Sequence, residues 1–201
     1  MLIEATSLVD YPVLSLHVGG EIARVVALVV EPEKLKVVAF QVLVSFISGE
    51  DEPGEFLESR DVREFSQMGM IVDSEEVFVN TGEVVSLDKV LSYQFSPFGL
   101  KVVTKAGANL GKVVDFVVET DGFLIRQLIV RRPIMKAILD PELVIPRSEI
   151  VEVTDDKIIV KDEEEKIRKK AIREEFRPNF VNPFREPDFS ARKVVNERKE
   201  K

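Results

Sequence analysis

Side-chain chemistry usually starts from an imidazole, a thiol or two carboxylates held in unequal environments, and this chain offers little of each. It has one histidine, His17, and no cysteine. Without cysteine there is no thiol nucleophile, disulfide framework, Cys-ligated zinc or iron–sulfur site. A Ser-His-Asp arrangement would have to pass through His17, which precedes the turn Val18-Gly19-Gly20 and reads as an exposed strand-end residue. The carboxylate runs Asp155-Asp156, Glu50-Asp51-Glu52 and Glu163-Glu164-Glu165 fall in turns or on a helix surface, where water keeps neighbouring acids ionised. General acid–base work needs environments that push two pKa values apart. Gly19-Gly20 lacks the strand-to-helix setting of a phosphate loop. No catalytic, cofactor-binding or metal-ligating residue is named, and a non-enzymatic protein without a cofactor is expected.

What remains is the chemistry of contact. Phe176, Phe180, Phe184 and Phe189 are four of the thirteen phenylalanines, interleaved with Pro178, Pro183 and Pro187. Prolines at that spacing forbid a regular helix, so the segment reads as an extended docking motif for a partner protein or a second copy of the chain. Lys101, Lys105, Lys112, Arg126, Arg131, Arg132 and Lys136 are the one group of cations dense enough for a modest basic patch. They are the candidate RNA contacts in an alternative reading. Val25, Ala27 and Val29 alternate on one strand face and form a candidate interface.

The elements that must position these residues come in two copies. Shifting the chain by 88 residues pairs Glu21-Ile22-Ala23-Arg24-Val25-Val26-Ala27-Leu28-Val29-Val30-Glu31 with Asn109-Leu110-Gly111-Lys112-Val113-Val114-Asp115-Phe116-Val117-Val118-Glu119. The same offset pairs the stretch from Leu14 to Gly19 with that from Val102 to Gly107, and Val42, Pro53, Glu64 and Val72 with Val130, Pro141, Glu152 and Val160. In the second copy, turn signals separate strands expected at 101–104, 110–119, 123–130, 143–145, 150–153 and 157–161. Asp121-Gly122 predicts a hairpin whose glycine takes a positive φ; the first copy has Glu31-Pro32-Glu33-Lys34 there, which predicts a differently built turn. Strict alternation puts Leu110, Val114, Phe116 and Val118 in the core and leaves Val113, Asp115, Val117 and Glu119 partly wet. Short strands in units of this size are expected to curl into small barrels.

The 201 residues, 45% hydrophobic, suffice for a real core. The expected organisation is a first, degenerate barrel over 1–72, a connecting β-hairpin segment over 73–97, a second barrel over 98–161, then a charged helix and a Phe/Pro-containing tail over 162–201. In the connecting segment, Val77-Phe78-Val79 and Val84-Val85-Ser86 flank the turn Asn80-Thr81-Gly82. The first barrel holds 5 basic and 12 acidic residues, net −7, the connecting segment 1 and 5, net −4, and the second barrel 10 and 9, net +1. Such an acidic first unit opposes broad binding to phosphate backbones. No apolar run is long enough to span a membrane, and a soluble, cytoplasmic protein is expected.

Gly107-Ala108-Asn109-Leu110-Gly111-Lys112-Val113-Val114-Asp115-Phe116-Val117-Val118-Glu119, followed by Asp121-Gly122, Leu128-Ile129-Val130 and Val144-Ile145-Pro146-Arg147-Ser148-Glu149-Ile150, resembles the PRC-barrel domain. That domain occurs in the cytoplasmic part of the photosynthetic reaction-centre H subunit, at the C-terminus of the ribosome maturation factor RimM and in small stand-alone proteins. In the first copy the pattern is degenerate: Ala23-Arg24 replaces Gly111-Lys112, Glu58 replaces Pro146 and Lys34 replaces the hairpin glycine. The resemblance implies a mainly β fold of two tandem PRC-like β-barrels and a non-catalytic assembly adaptor. A RimM-like ribosome maturation or RNA-associated factor is the alternative it leaves open.

Overall fold

The computed structural model describes residues 1–44, 55–133 and 141–162. Residues 1–162 pack as one compact unit. The strands are β1 (Leu2–Glu4), β2 (Pro12–Ser15), β3 (Gly20–Glu31), β4 (Lys36–Val44), β5 (Glu55–Glu58), β6 (Glu64–Ser66), β7 (Gly69–Val72) and β8 (Phe78–Asn80). Helix α1 (Val85–Ser92) follows, then β9 (Lys101–Thr104), β10 (Asn109–Glu119), β11 (Leu124–Arg131), β12 (Glu142–Pro146), β13 (Ile150–Val153) and β14 (Lys157–Val160). They join in one open, mixed sheet whose main path runs β13-β14-β9-β10-β11-β4-β3-β2-β7-β6.

The internal repeat is written into the hydrogen-bond register. In the β3–β4 ladder Arg24 faces Leu43, Val25 faces Val42, Ala27 faces Gln41 and Glu31 faces Lys36. Adding 88 to each number gives the β10–β11 ladder: Lys112 with Arg131, Val113 with Val130, Asp115 with Ile129 and Glu119 with Leu124. Even the two β-bulges recur, at Val25/Ala27 and Val29/Val30 in one ladder and at Val113/Asp115 and Val117/Val118 in the other. The β4–β5 pairing recurs in β11–β12. The offset breaks only in the strand that opens each half: Val13 faces Ala23, whereas Val102 faces Gly111. Val13 thus corresponds to Val102, 89 residues on, and the turn after β9 is one residue shorter.

The bulges also correct the expected faces. A bulge sets two residues against one and shifts the alternation by one. In β10 it turns Val113 inward beside Phe116 and Val118, all three buried. Val114, expected in the core, is only half-buried.

The connecting segment differs from the expected hairpin. Phe78–Asn80 pairs with β5, but Val84-Val85-Ser86 enters helix α1 instead of returning as a strand. Val84, Leu87 and Leu91 recur at a helical period and pack on Ala39 and Phe56, with Val29 and Val79 at the margin; that face outweighs the β preference of two valines. The Asp88 carboxylate accepts the Gly82 amide at 2.9 Å and so closes the turn before the helix.

Where the halves meet, a pseudo-dyad relates them. The Val37 amide donates to the Phe123 carbonyl and the Ile125 amide to the Leu35 carbonyl, both at 2.9 Å; each of these residues in the first half has its mate 88 positions on. Leu35 and Phe123, at φ 44° and 55°, close both turns in the same way, correcting two expectations. Phe123 rather than Gly122 carries the positive φ, and the Pro32-containing turn matches its mate. Bulky side chains rarely adopt that conformation, which costs about 1–3 kcal/mol. Burial supplies the compensation: Leu35 and Phe123 belong to one continuous core that draws on both halves.

Candidate functional site

Among the described residues the groups able to recognise a partner lie on the outer face of the sheet and in clefts at the junction. The junction is the more built of the two. Phe123, from the second half, stands edge-on to Phe40 at 5.4 Å and to Phe65 at 6.4 Å, and Phe65 stacks on Tyr11 at 5.0 Å. The Tyr11 hydroxyl donates to the Ser66 carbonyl, and burial raises its pKa above the ordinary tyrosine value. Two clefts flank the dyad. One, of about 440 Å³, is lined by Lys36, Arg60, Arg63, Glu64, Asp121 and other residues. Its pseudo-symmetric counterpart, of about 320 Å³, is lined by Glu33, Leu35, Arg147 and Glu152 among others. Arg147 spans the junction, donating to the carbonyls of Lys34 at 2.5 Å, Leu35 at 3.2 Å and Ile125 at 3.4 Å. Its guanidinium, a rigid fork of donors, is therefore committed to the scaffold.

The strand-face candidates fall into three settings. Val25 is buried in the core and Val29 packs beside α1, while Ala27 is half-buried. The chain's own linker therefore covers part of the candidate interface, at Val29. In the second half Asp115 stands where the first has Ala27. Instead of being wet, it is buried and bound by the Thr6 amide at 3.3 Å, the Thr6 hydroxyl at 2.5 Å and the Phe116 amide at 2.7 Å. His17 is exposed, and its backbone amide donates to the Asp73 carbonyl at 3.0 Å. Asp155 and Asp156 occupy the β13–β14 turn; Glu50, Asp51, Glu52 and the Glu163 run lie outside the described residues.

The sheet sorts the cations that the sequence grouped together. Arg126 is engaged by Glu119, with Nε at 2.9 Å from its carboxylate. Lys105 and Arg132 also have partners, and Lys136 lies outside the described residues. Lys101, Lys112 and Arg131 are brought together, because Lys112 faces both Lys101 and Arg131 across its two ladders. Lys157, which sequence reasoning did not single out, joins them by facing Lys101 from β14. Register was the missing signal: Lys157 is distant in sequence from the other three.

Gly111 makes the approach of Lys112 to Arg131 possible. It sits at φ 136°, and a Cβ there would lie 2.0 Å from the Arg131 carbonyl oxygen, so any side chain would drive β10 off β11. In the first half Arg24, the counterpart of Lys112, is held by Glu21 at 2.7 and 2.9 Å and by Asp10 at 3.3 Å. Hydrogen bonds to Glu21 and then Asp10 raise the Arg24 pKa.

Phe176, Phe180, Phe184 and Phe189, with the expected charged helix, lie outside the described residues. No helix among the described residues is long and apolar enough to cross a membrane. Residues 90–167 match the family model of the PRC-barrel domain. No curated protein matches the chain.

Proposed function

We propose that this protein, which carries a PRC-barrel domain over residues 90–167, is a non-catalytic binding and assembly adaptor. The domain match carries the reading, since the PRC-barrel is a non-catalytic domain family whose members often mediate protein interactions. The repeated register supports taking the first half as a second, diverged PRC-like unit, so that the scaffold presents two related surfaces. The partner is another protein or a second copy of the chain, and the setting is cytoplasmic.

Docking falls to Phe176, Phe180, Phe184 and Phe189. Burying one phenylalanine gains roughly 1.5–3 kcal/mol, so two or three anchors in preformed grooves offset the cost of ordering an extended segment. Prolines lower that cost in advance by fixing φ. A pull-down with the full chain and with a chain lacking residues 176–201 tests this. Phe180→Ala with Phe184→Ala should weaken capture at least tenfold and leave the melting of the sheet unchanged. A double variant that binds normally but melts earlier would assign these phenylalanines to the chain's own core.

A second reading, an RNA-associated or ribosome maturation factor, is favoured by one observation: Lys101, Lys112, Arg131 and Lys157 fall in adjacent register positions.

A further inference from the structure

Lys157, Lys101, Lys112 and Arg131 form a single row across β14, β9, β10 and β11. Ladder partners share a face, and neighbouring strands lie about 4.8 Å apart, so the row runs for roughly 14 Å. Lys101, Lys112 and Arg131 are exposed and Lys157 is half-buried. None of the four side chains has an ion-pair or hydrogen-bond partner among the described residues. The carboxylates nearby are otherwise placed. Asp115, next on the outer face of β10, is taken by Thr6; Asp156 accepts from Thr154; Asp155 is exposed in the turn before Lys157; Glu142 faces Arg131 at the end of the row.

Like charges directly opposite one another destabilise a sheet, and this chain, at net −8, has acids to spare for neutralising them. It does so in the first half. There the equivalent row is Gly69, Pro12, Arg24 and Leu43, and its one cation is clamped by Glu21 and Asp10. In the second half the positions of those two acids hold Asn109 and Gly99. Four cations in adjacent register positions, none in an ion pair among the described residues and only Glu142 facing them across a ladder at the Arg131 end, fit an external anion.

We infer that this row is a binding site for the phosphodiester backbone of single-stranded nucleic acid, an inference that rests on the second reading above. The row is one side chain wide, and Val103, Ile129 and Ile159 lie two residues along their strands from it. It therefore matches one extended polyanion better than a plane of charge. A duplex or an anionic membrane presents its charge over a wider area than this row, and the chain as a whole is acidic, at net −8. Four phosphate contacts on a single strand give a log–log salt slope of about −2.8, a loss of roughly fifty-fold between 50 and 200 mM salt. Backbone contacts carry no base preference.

The test is fluorescence anisotropy of the full chain with labelled 20-nucleotide oligo(rU) and oligo(dT), across that salt range. The parent should bind both within about threefold of each other, with the stated slope. The fourfold variant Lys101→Gln, Lys112→Gln, Arg131→Gln, Lys157→Gln should lose at least twentyfold in affinity, flatten the slope, and melt no earlier than the parent because repulsion is relieved. Gln at Lys34, Arg60, Arg63 and Lys89 should change affinity less than threefold. Should the fourfold variant misfold, the two double variants Lys101→Gln with Lys157→Gln and Lys112→Gln with Arg131→Gln decide instead: each should flatten the slope by about 1.4 and weaken binding, and unchanged affinity in both overturns the inference. Parent binding that survives neutralisation of the row overturns the inference and leaves the second reading standing. A parent that binds neither oligomer overturns both. A tenfold preference for one oligomer, or tighter binding to vesicles containing phosphatidylserine, overturns recognition of a single-stranded backbone.

Discussion

At the centre of the first half's long strand stands Ala27, with Val29 beside helix α1; at the same ladder positions in the second half stand Asp115, bound by Thr6, and Val117, facing Glu4 of β1. The ladders match pair for pair, so the difference lies in what covers them. Residues 1–8 precede the first half but lie against the second, where β1 pairs with β10. Residues 73–97 precede the second half but lie against the first, where β8 pairs with β5 and α1 packs on Phe56. Each half is completed by the segment that introduces the other. The ladders repeat, and this exchange of covering segments ties the two halves together.

The first way to break the comparison is at the dyad, where the two turn-tip residues differ most in size. Phe123 is 5% exposed and Leu35 4% exposed, but Phe123 reaches two rings of the first half, Phe40 and Phe65. Phe123→Ala should cost about 3–5 kcal/mol, through lost burial and the cavity left behind. Because both halves share the core, urea unfolding should remain one transition that moves to lower concentration. Two separated transitions would show that the halves are independent.

The second is at Gly111. In the first half the same position is Ala23, fully buried and opposite Val44, so that ladder accommodates a methyl group. In the second, the Arg131 carbonyl occupies its space. Gly111→Ala should cost about 2–3 kcal/mol, from a left-handed backbone conformation and a displaced strand. Ala23→Gly should cost about 1 kcal/mol or less. Thermal melting of both variants checks the asymmetry, and equal losses would mean that β10 can yield at Gly111.

Much of this was legible in the chain. The strand limits at 101–104 and 150–153 agree with the sequence reading, and the offset of 88 survives in nearly every ladder, because strand lengths and the hairpin turns were kept. The bulges were not legible: a run such as Val113-Val114 looks the same with either residue facing in. Helix α1 was hidden by Val84 and Val85, whose β preference is overruled only once Leu87 finds Ala39 and Phe56. The cation row was half legible. Composition found Lys101, Lys112 and Arg131, but their adjacency, and the membership of Lys157, depend on pairings between residues far apart in the chain.

The most local expected effect concerns the covering segment itself. Asp115 is the one polar replacement in the middle of the repeated strand, and its carboxylate accepts from the Thr6 amide, the Thr6 hydroxyl and its own neighbour's amide. Asp115→Ala, which imitates the first half, keeps the ladder but leaves the Thr6 hydroxyl and amide without their acceptor. Hydrogen bonds to a charged group contribute about 1.5–3 kcal/mol, and relief from burying the carboxylate offsets part of that loss. A net cost of about 1–1.5 kcal/mol is expected, confined largely to residues 1–8. Hydrogen exchange should report it locally. The Thr120 amide, bonded to the Met1 carbonyl at 3.0 Å, and the amides of β1 should exchange faster, while Val37 and Ile125 at the dyad keep parental rates. If those two amides accelerate in step with β1, Asp115 supports the whole unit, and the N-terminal segment is as much core as the helix that covers the first half.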